Sequence, residues 1–251
     1  MSASDTSTWT GSTPPTPPKI NHFARLIGVV FSPGETFADI AKTPTFWLPL
    51  VVTMAFTLLA SQVVVNRVGL ENLVRSQIMK SSRAPEMSKA QIDAGVEMGV
   101  KIGRVTTWLN PLFVIIGILI VAGVLLLMAN FVFGGSATFK QLMAVAAHSA
   151  APISVVSAIL SCVIVFIKDP GDVDVENLLV TNLGVIVSAE TSKFLHRMAT
   201  SMDLLSFWQI FLLATGISAS SSKLTFGKAL AAVLIPWALY VLVVSGFAAM
   251  R

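Results

Sequence analysis

Apolar residues come in long unbroken blocks along most of this chain. No charged residue lies between Lys42 and Arg67, and positions 46–65 are almost wholly apolar. Positions 105–133, 141–167, 204–222 and 229–250 repeat the pattern. Each block is about as long as the ~20 residues that carry a helix across ~30 Å of hydrocarbon. The pattern predicts an all-α protein, a polytopic membrane bundle of five transmembrane helices.

Shorter stretches carry helical periodicity instead. In "FSPGETFADIAKTPTFWLPL" (Phe31 to Leu50), Phe37, Ile40 and Ala41 share one face, while Glu35, Asp39 and Lys42 take others. Ser32 and Glu35 have the spacing of a capping box, and Pro33 falls at the first helical position, where its missing N–H costs nothing. Pro44 and Pro49 discourage the helix from continuing. This predicts an interfacial amphipathic helix of about ten residues ahead of the first span, with packing on the chain's own spans as the alternative. Val187, Thr191, Phe194, Leu195, Met198 and Met202 predict a second one on the opposite membrane face. Ser88 with Gln91 starts a helix that runs on into the second span. Thr138 with Gln141 starts the third, just after the Gly134-Gly135 turn.

Composition sharpens the picture. Of 251 residues, 54% are hydrophobic and only 12% are charged, about half the charged share of a soluble domain. Positions 1–20 are a Pro/Ser/Thr-rich tail that cannot bury a core and is expected to be disordered. Its lack of a basic start and an apolar core also sets it apart from a secretory signal peptide. Positions 21–251 form the membrane domain. Trp47 and Trp108 suit interfacial anchoring, whereas Trp237 lies deeper and suits packing. The net charge of +4 fits attraction to anionic head groups. Nucleic-acid binding is not expected, because the basic residues alternate with acids and lack an aromatic platform.

The third block holds a packing signal. Ala144, Ala147, Ala151, Ser154, Ala158 and Ser161 recur every three or four residues, and such a row lets another backbone approach closely. Its neighbour belongs either to this chain or to a second copy. Polar residues inside spans are costly and therefore mark candidate sites. They are few: Asn110, His148 and Gln209, with Asp203 just ahead of the fourth span. His148 reads either as a relay or ligand group or as a side chain bonded to a neighbouring helix. Asp203 has the structural alternative of an acid in the first turn of its helix.

Catalytic chemistry is not indicated. His22, His148 and His196 lack zinc-site spacing, and Cys162 is the only cysteine. Neither a phosphate loop nor a GxSxG turn occurs. The acidic turn of Asp169, Asp172, Asp174 and Glu176 reads as a calcium site or, lacking the EF-hand order, as a solvated loop. No cofactor or metal is expected.

Three stretches, "FSPGETFADIAKTPTFW", "GGSATFKQLMAVAAHSAAP" and "SMDLLSFWQIFLLATGIS", occur in an order and spacing that resembles the Yip family of five-span membrane proteins. The likeness is to its bacterial branch in particular and covers about Phe23 to Leu242. Pro33 with Phe37 is similar to the family's pre-membrane helix, His148 with Pro152 to its span start, and Asp203 with Trp208 to the start of its fourth span. Where eukaryotic members carry a tyrosine- and glycine-rich motif, this chain has "AAHSAAP". The resemblance implies a bacterial cytoplasmic-membrane protein with its N-terminus in the cytoplasm. Its partners would be membrane lipids, other membrane proteins or a second copy, and a small GTPase by analogy with the eukaryotic relatives. The count of Lys and Arg opposes that orientation, placing six inside and eleven outside. Thr-Phe pairs open the first, third and fifth spans, which would then leave the same interface. The expected function is that of a noncatalytic adaptor or organiser. The alternative is a small-solute or lipid transporter whose polar path is lined by Asn110, His148, Asp203 and Gln209.

Overall fold

A computed structural model describes residues 20–81, 83–173, 178–179, 181–187 and 192–250. Positions 1–19 of the expected tail lie outside these residues, as do Asp174, Glu176 and Thr191. Among the described residues the chain is helical, with one isolated β-bridge between Asn182 and Asp203.

Two short helices, α1 (His22–Phe31) and α2 (Pro33–Lys42), share Ser32 as their junction. The side chain of Asn21 caps α1 by accepting from the Ala24 amide. Ser32 does not form the expected capping box with Glu35. Its backbone N–H closes α1 on the Gly28 carbonyl at 2.7 Å, so its backbone sits at φ −142° and ψ 59°. That is not the extended conformation from which a serine oxygen reaches the first turn. Pro33 still opens α2, whose ten residues match the expected length.

The apolar face of α2 is not laid on a membrane. Phe37 and Ile40 are fully buried, because α2 packs on α6 (Phe139–Ile167) and α8 (Leu204–Ser220). A close approach allows this: a Cβ at Gly216 of α8 would stand 2.4 Å from Val145 Cγ1 and 3.0 Å from Phe37 Cδ1. Glycine is what lets the three helices meet.

Among the described residues four helices are long and apolar enough to cross a membrane: α3 (Trp47–Val68), α5 (Lys89–Leu126) with its terminal π turn (Leu127–Val132), α6, and α9 (Phe226–Ala249). The remaining expected span, α8, carries no charged residue but has 17 residues, two fewer than its sequence block. The Ser88–Gln91 and Thr138–Gln141 boxes both form. The first begins α5 well before the apolar block, and the π turn ends it at Gly134, whose φ of 69° suits glycine.

Helix α6 is the centre, touching α1, α2, α3, α5 and α8. Its start lies beside those of α3 and α9. Gln141 Nε2 donates to the Ala41 carbonyl just ahead of α3, and the Ser136 amide donates to Ser221 Oγ at the end of α8. The three Thr-Phe pairs therefore open helices that leave one face.

Two further helices stand among the described residues. Helix α4 (Leu70–Met79), absent from the sequence reading, folds back on the first part of α5. Leu70, Val74 and Ile78 meet Gly103, Gly99 and Gly95 respectively, an antiparallel seam in which each side chain fills the place of a missing Cβ. Helix α7 (Lys193–Ser201) packs on α9 and the Leu183–Val185 turn, so one of its faces is taken by protein too.

Candidate functional site

The small-residue row of α6 is buried over its whole length, from Ala144 to Ser161. Among the described helices, α3 packs most closely on α6. Where α3 and α8 diverge, α6 becomes the floor of a groove. One section, about 350 Å³, is lined by Thr57 and Ala60 of α3, by Ser154, Ser157 and Ser161 of α6, and by Gln209 of α8. A second, about 440 Å³, shares Ile153, Ser157, Ser161 and Gln209 and opens beside Asn182, Thr200 and Asp203. The shared residues place the two sections side by side on α6, with several hydroxyls among their lining.

The hydrogen-bonding state of these groups decides what they can do. Ser154 Oγ donates to the Ala151 carbonyl and Thr57 Oγ1 to the Thr53 carbonyl, which leaves their oxygen lone pairs for an incoming donor. No protein group among the described residues pairs with the Gln209 amide. It therefore offers both donors and an acceptor. Asp203 is engaged: Oδ1 accepts from the amides of Leu205 (2.8 Å) and Ser206 (3.2 Å), and Oδ2 from the Thr181 hydroxyl. It is the N-cap of α8, one residue ahead of the first-turn position the sequence reading offered as its structural role.

Of the four candidate path residues, then, Asp203 and Gln209 meet in the groove. Asn110 and His148 line neither section. His148 is buried, and its Nδ1 donates to the Ala144 carbonyl at 2.9 Å, a bond within its own helix rather than to a neighbour. Asp169 opens a short 3-10 turn. Among the described residues no cluster of His, Cys, Asp or Glu is placed to hold a metal ion.

Sequence reasoning missed the most connected polar residue, Arg25 of α1. Its side chain is 0% exposed and bonds Asp39 Oδ2 at 2.7 Å, the Thr43 carbonyl at 3.0 Å, Thr45 Oγ1 at 2.9 Å and Thr43 Oγ1. The fork of a guanidinium serves several acceptors at once, so one residue ties α1 to α2 and to the start of α3. The signal was there: Arg25 is the sole charged residue, histidine apart, in "HFARLIGVVF". On the far side of the bundle, Arg75 of α4 bridges Glu71 at 3.3 Å and Asp93 of α5 at 3.2 Å. Glu71, then Asp93, makes its guanidinium hold its proton more tightly than usual.

A helical bundle that has, among the described residues, four helices of membrane-crossing length around a central small-residue helix defines an integral membrane protein. Residues 27–247 match the Yip1 domain, and the chain belongs to that family. No curated protein and no solved structure matches it.

Proposed function

We propose that this chain is a noncatalytic adaptor or organiser that holds another membrane component in the groove between α3, α6 and α8. The observation behind this reading is the Gln209 amide, unpaired among the described residues, beside Ser154, Ser157 and Ser161 in one groove. A hydroxyl, amide or carbonyl group on a lipid or a partner helix would complete them. Trp208, next to Gln209 on α8, is exposed, which suits lateral approach from the bilayer. The membrane domain is taken as positions 21–251 of a bacterial cytoplasmic-membrane protein of the family's bacterial branch. In this reading α8 is a fifth, short span and the N-terminus is cytoplasmic.

The second reading, transport of a small solute or lipid, draws support from the meeting of Asp203 and Gln209 in one groove. The position of Asn110 and His148 outside it weighs against a path through the bundle.

Purification from native membranes into nanodiscs, with mass spectrometry of proteins and lipids, tests both. A stoichiometric protein or lipid, lost in Gln209→Leu with Ser157→Val, supports the adaptor. Loss of a solute or lipid flux in the same variant, with nothing stoichiometrically bound, favours transport. Unchanged binding and flux would sink the groove as a functional site.

A further inference from the structure

Helix α1 has two opposed faces. Arg25 and Val29 are fully buried against the rest of the protein. Phe23, Ile27 and Phe31 are exposed at 71%, 62% and 80%, one every four residues. Steps of four along a helix keep side chains on one flank, and no part of the described chain covers this one.

The depth of α1 follows from its bonds. His22 Nδ1 lies 3.3 Å from Thr45 Oγ1, and Arg25 reaches the Thr43 carbonyl, both just ahead of Trp47 at the start of α3. Helix α2, which returns from α1, gives its Ala41 carbonyl to Gln141 in the first turn of α6. Helix α1 is therefore level with the starts of two membrane-crossing helices, where hydrocarbon gives way to head groups. Trp47 and Val51 on the outside of α3 continue the exposed apolar surface downward. Lys42 and Lys140 stand exposed at the same level, placed for anionic head groups.

We propose that α1 is an interfacial membrane helix, with Phe23, Ile27 and Phe31 inserted at the boundary of head groups and acyl chains. The inward turn of Arg25 makes this possible, since the one strong charge of the helix is paired with Asp39 instead of facing lipid. The occupant is lipid rather than a second copy. The face stands level with the starts of the spans and beside the exposed Lys42 and Lys140, which is where a bilayer surface with anionic head groups is the neighbour. The inference is independent of the groove and stands whether or not the groove binds anything.

The test uses the full chain with Cys162→Ser, reconstituted in nanodiscs containing anionic lipid. Nitroxide labels are placed singly at Ile27→Cys, at Phe31→Cys and, as an aqueous control, at Lys42→Cys. Both test positions are exposed, so labelling spares the core, and agreement between them guards against one variant that folds poorly. Expected is a ratio of oxygen to nickel-chelate accessibility several-fold higher at 27 and 31 than at 42. Ratios equal to the control would overturn the proposal. So would dipolar broadening between labels, which would place a second copy on this face.

Discussion

A single side chain decides how the N-terminal hairpin is held. Arg25 is buried with Asp39, whose side chain keeps 20% exposure, so removing the cation leaves a carboxylate largely out of water and without its partner. Breaking a buried pair from one side costs about 3 kcal/mol. Arg25→Met should lower the thermal unfolding midpoint of the detergent-solubilised protein accordingly. Arg25→Lys should recover little, because one ammonium cannot replace a fork that spans Asp39, Thr43 and Thr45. Full recovery by lysine would show that charge alone matters. Gly216 is the apolar counterpart. Gly216→Ala sets a methyl 2.4 Å from Val145 Cγ1 and should cost about 1–3 kcal/mol. Adding Val145→Ala should return part of that loss, so the double variant should be more stable than the sum of the singles. Strict additivity would mean that the helices move apart instead.

At the level of elements, legibility followed the kind of force involved. The blocks that became α3, α5, α6, α8 and α9 are plain in the sequence because length and apolarity are properties of the segment itself. So are the Ser88–Gln91 and Thr138–Gln141 boxes, which close within four residues. Ser32 misled because it serves two helices, and its backbone is committed to ending α1 before its side chain can start α2. The burial of α2 was open to either side, since Phe37 and Ile40 would face lipid or protein with the same spacing. Only the Gly216 notch on a distant helix decides it. In the groove, the sequence supplied Asp203 and Gln209 but not Ser157 or Thr57, whose relevance depends on where α3 and α8 part. Helix α4 was missed for a related reason: its seam reads as Gly95, Gly99 and Gly103, a four-residue repeat within a charged stretch. That seam makes a prediction of its own. Gly99→Val drives a side chain into Val74, 2.4 Å from where its Cβ would sit. The α4–α5 connection should then become several times more sensitive to limited proteolysis while the unfolding midpoint of the bundle stays put. A fall of the midpoint by several degrees would mean that α4 belongs to the same cooperative unit as the spans.

For the molecule as a whole, the fate of α8 sets the topology. Its 17 residues extend about 25 Å at 1.5 Å per residue, a few ångströms short of a typical hydrocarbon core. Its two ends are nevertheless tied to opposite ends of α6. Asp203 shares the groove with Ser161 near the last turns of α6, while Ser221, just past the helix, accepts from the Ser136 amide ahead of its first turn. In the proposed reading α8 is therefore a fifth, short crossing, and local thinning of the bilayer would accommodate so small a mismatch at modest cost. Five crossings put the two ends of the domain on opposite sides, and four put them on the same side. Reporter tags ahead of Ile20 and after Met250 therefore read the number of spans by parity alone. The expected result is a cytoplasmic N-terminal tag and a C-terminal tag across the membrane. Both tags on one side would remove α8 from the spans. An external N-terminal tag with a cytoplasmic C-terminal one would keep five spans but invert them, moving the seven Lys and Arg between Asn66 and Arg104 to the cytoplasm, as their number favours.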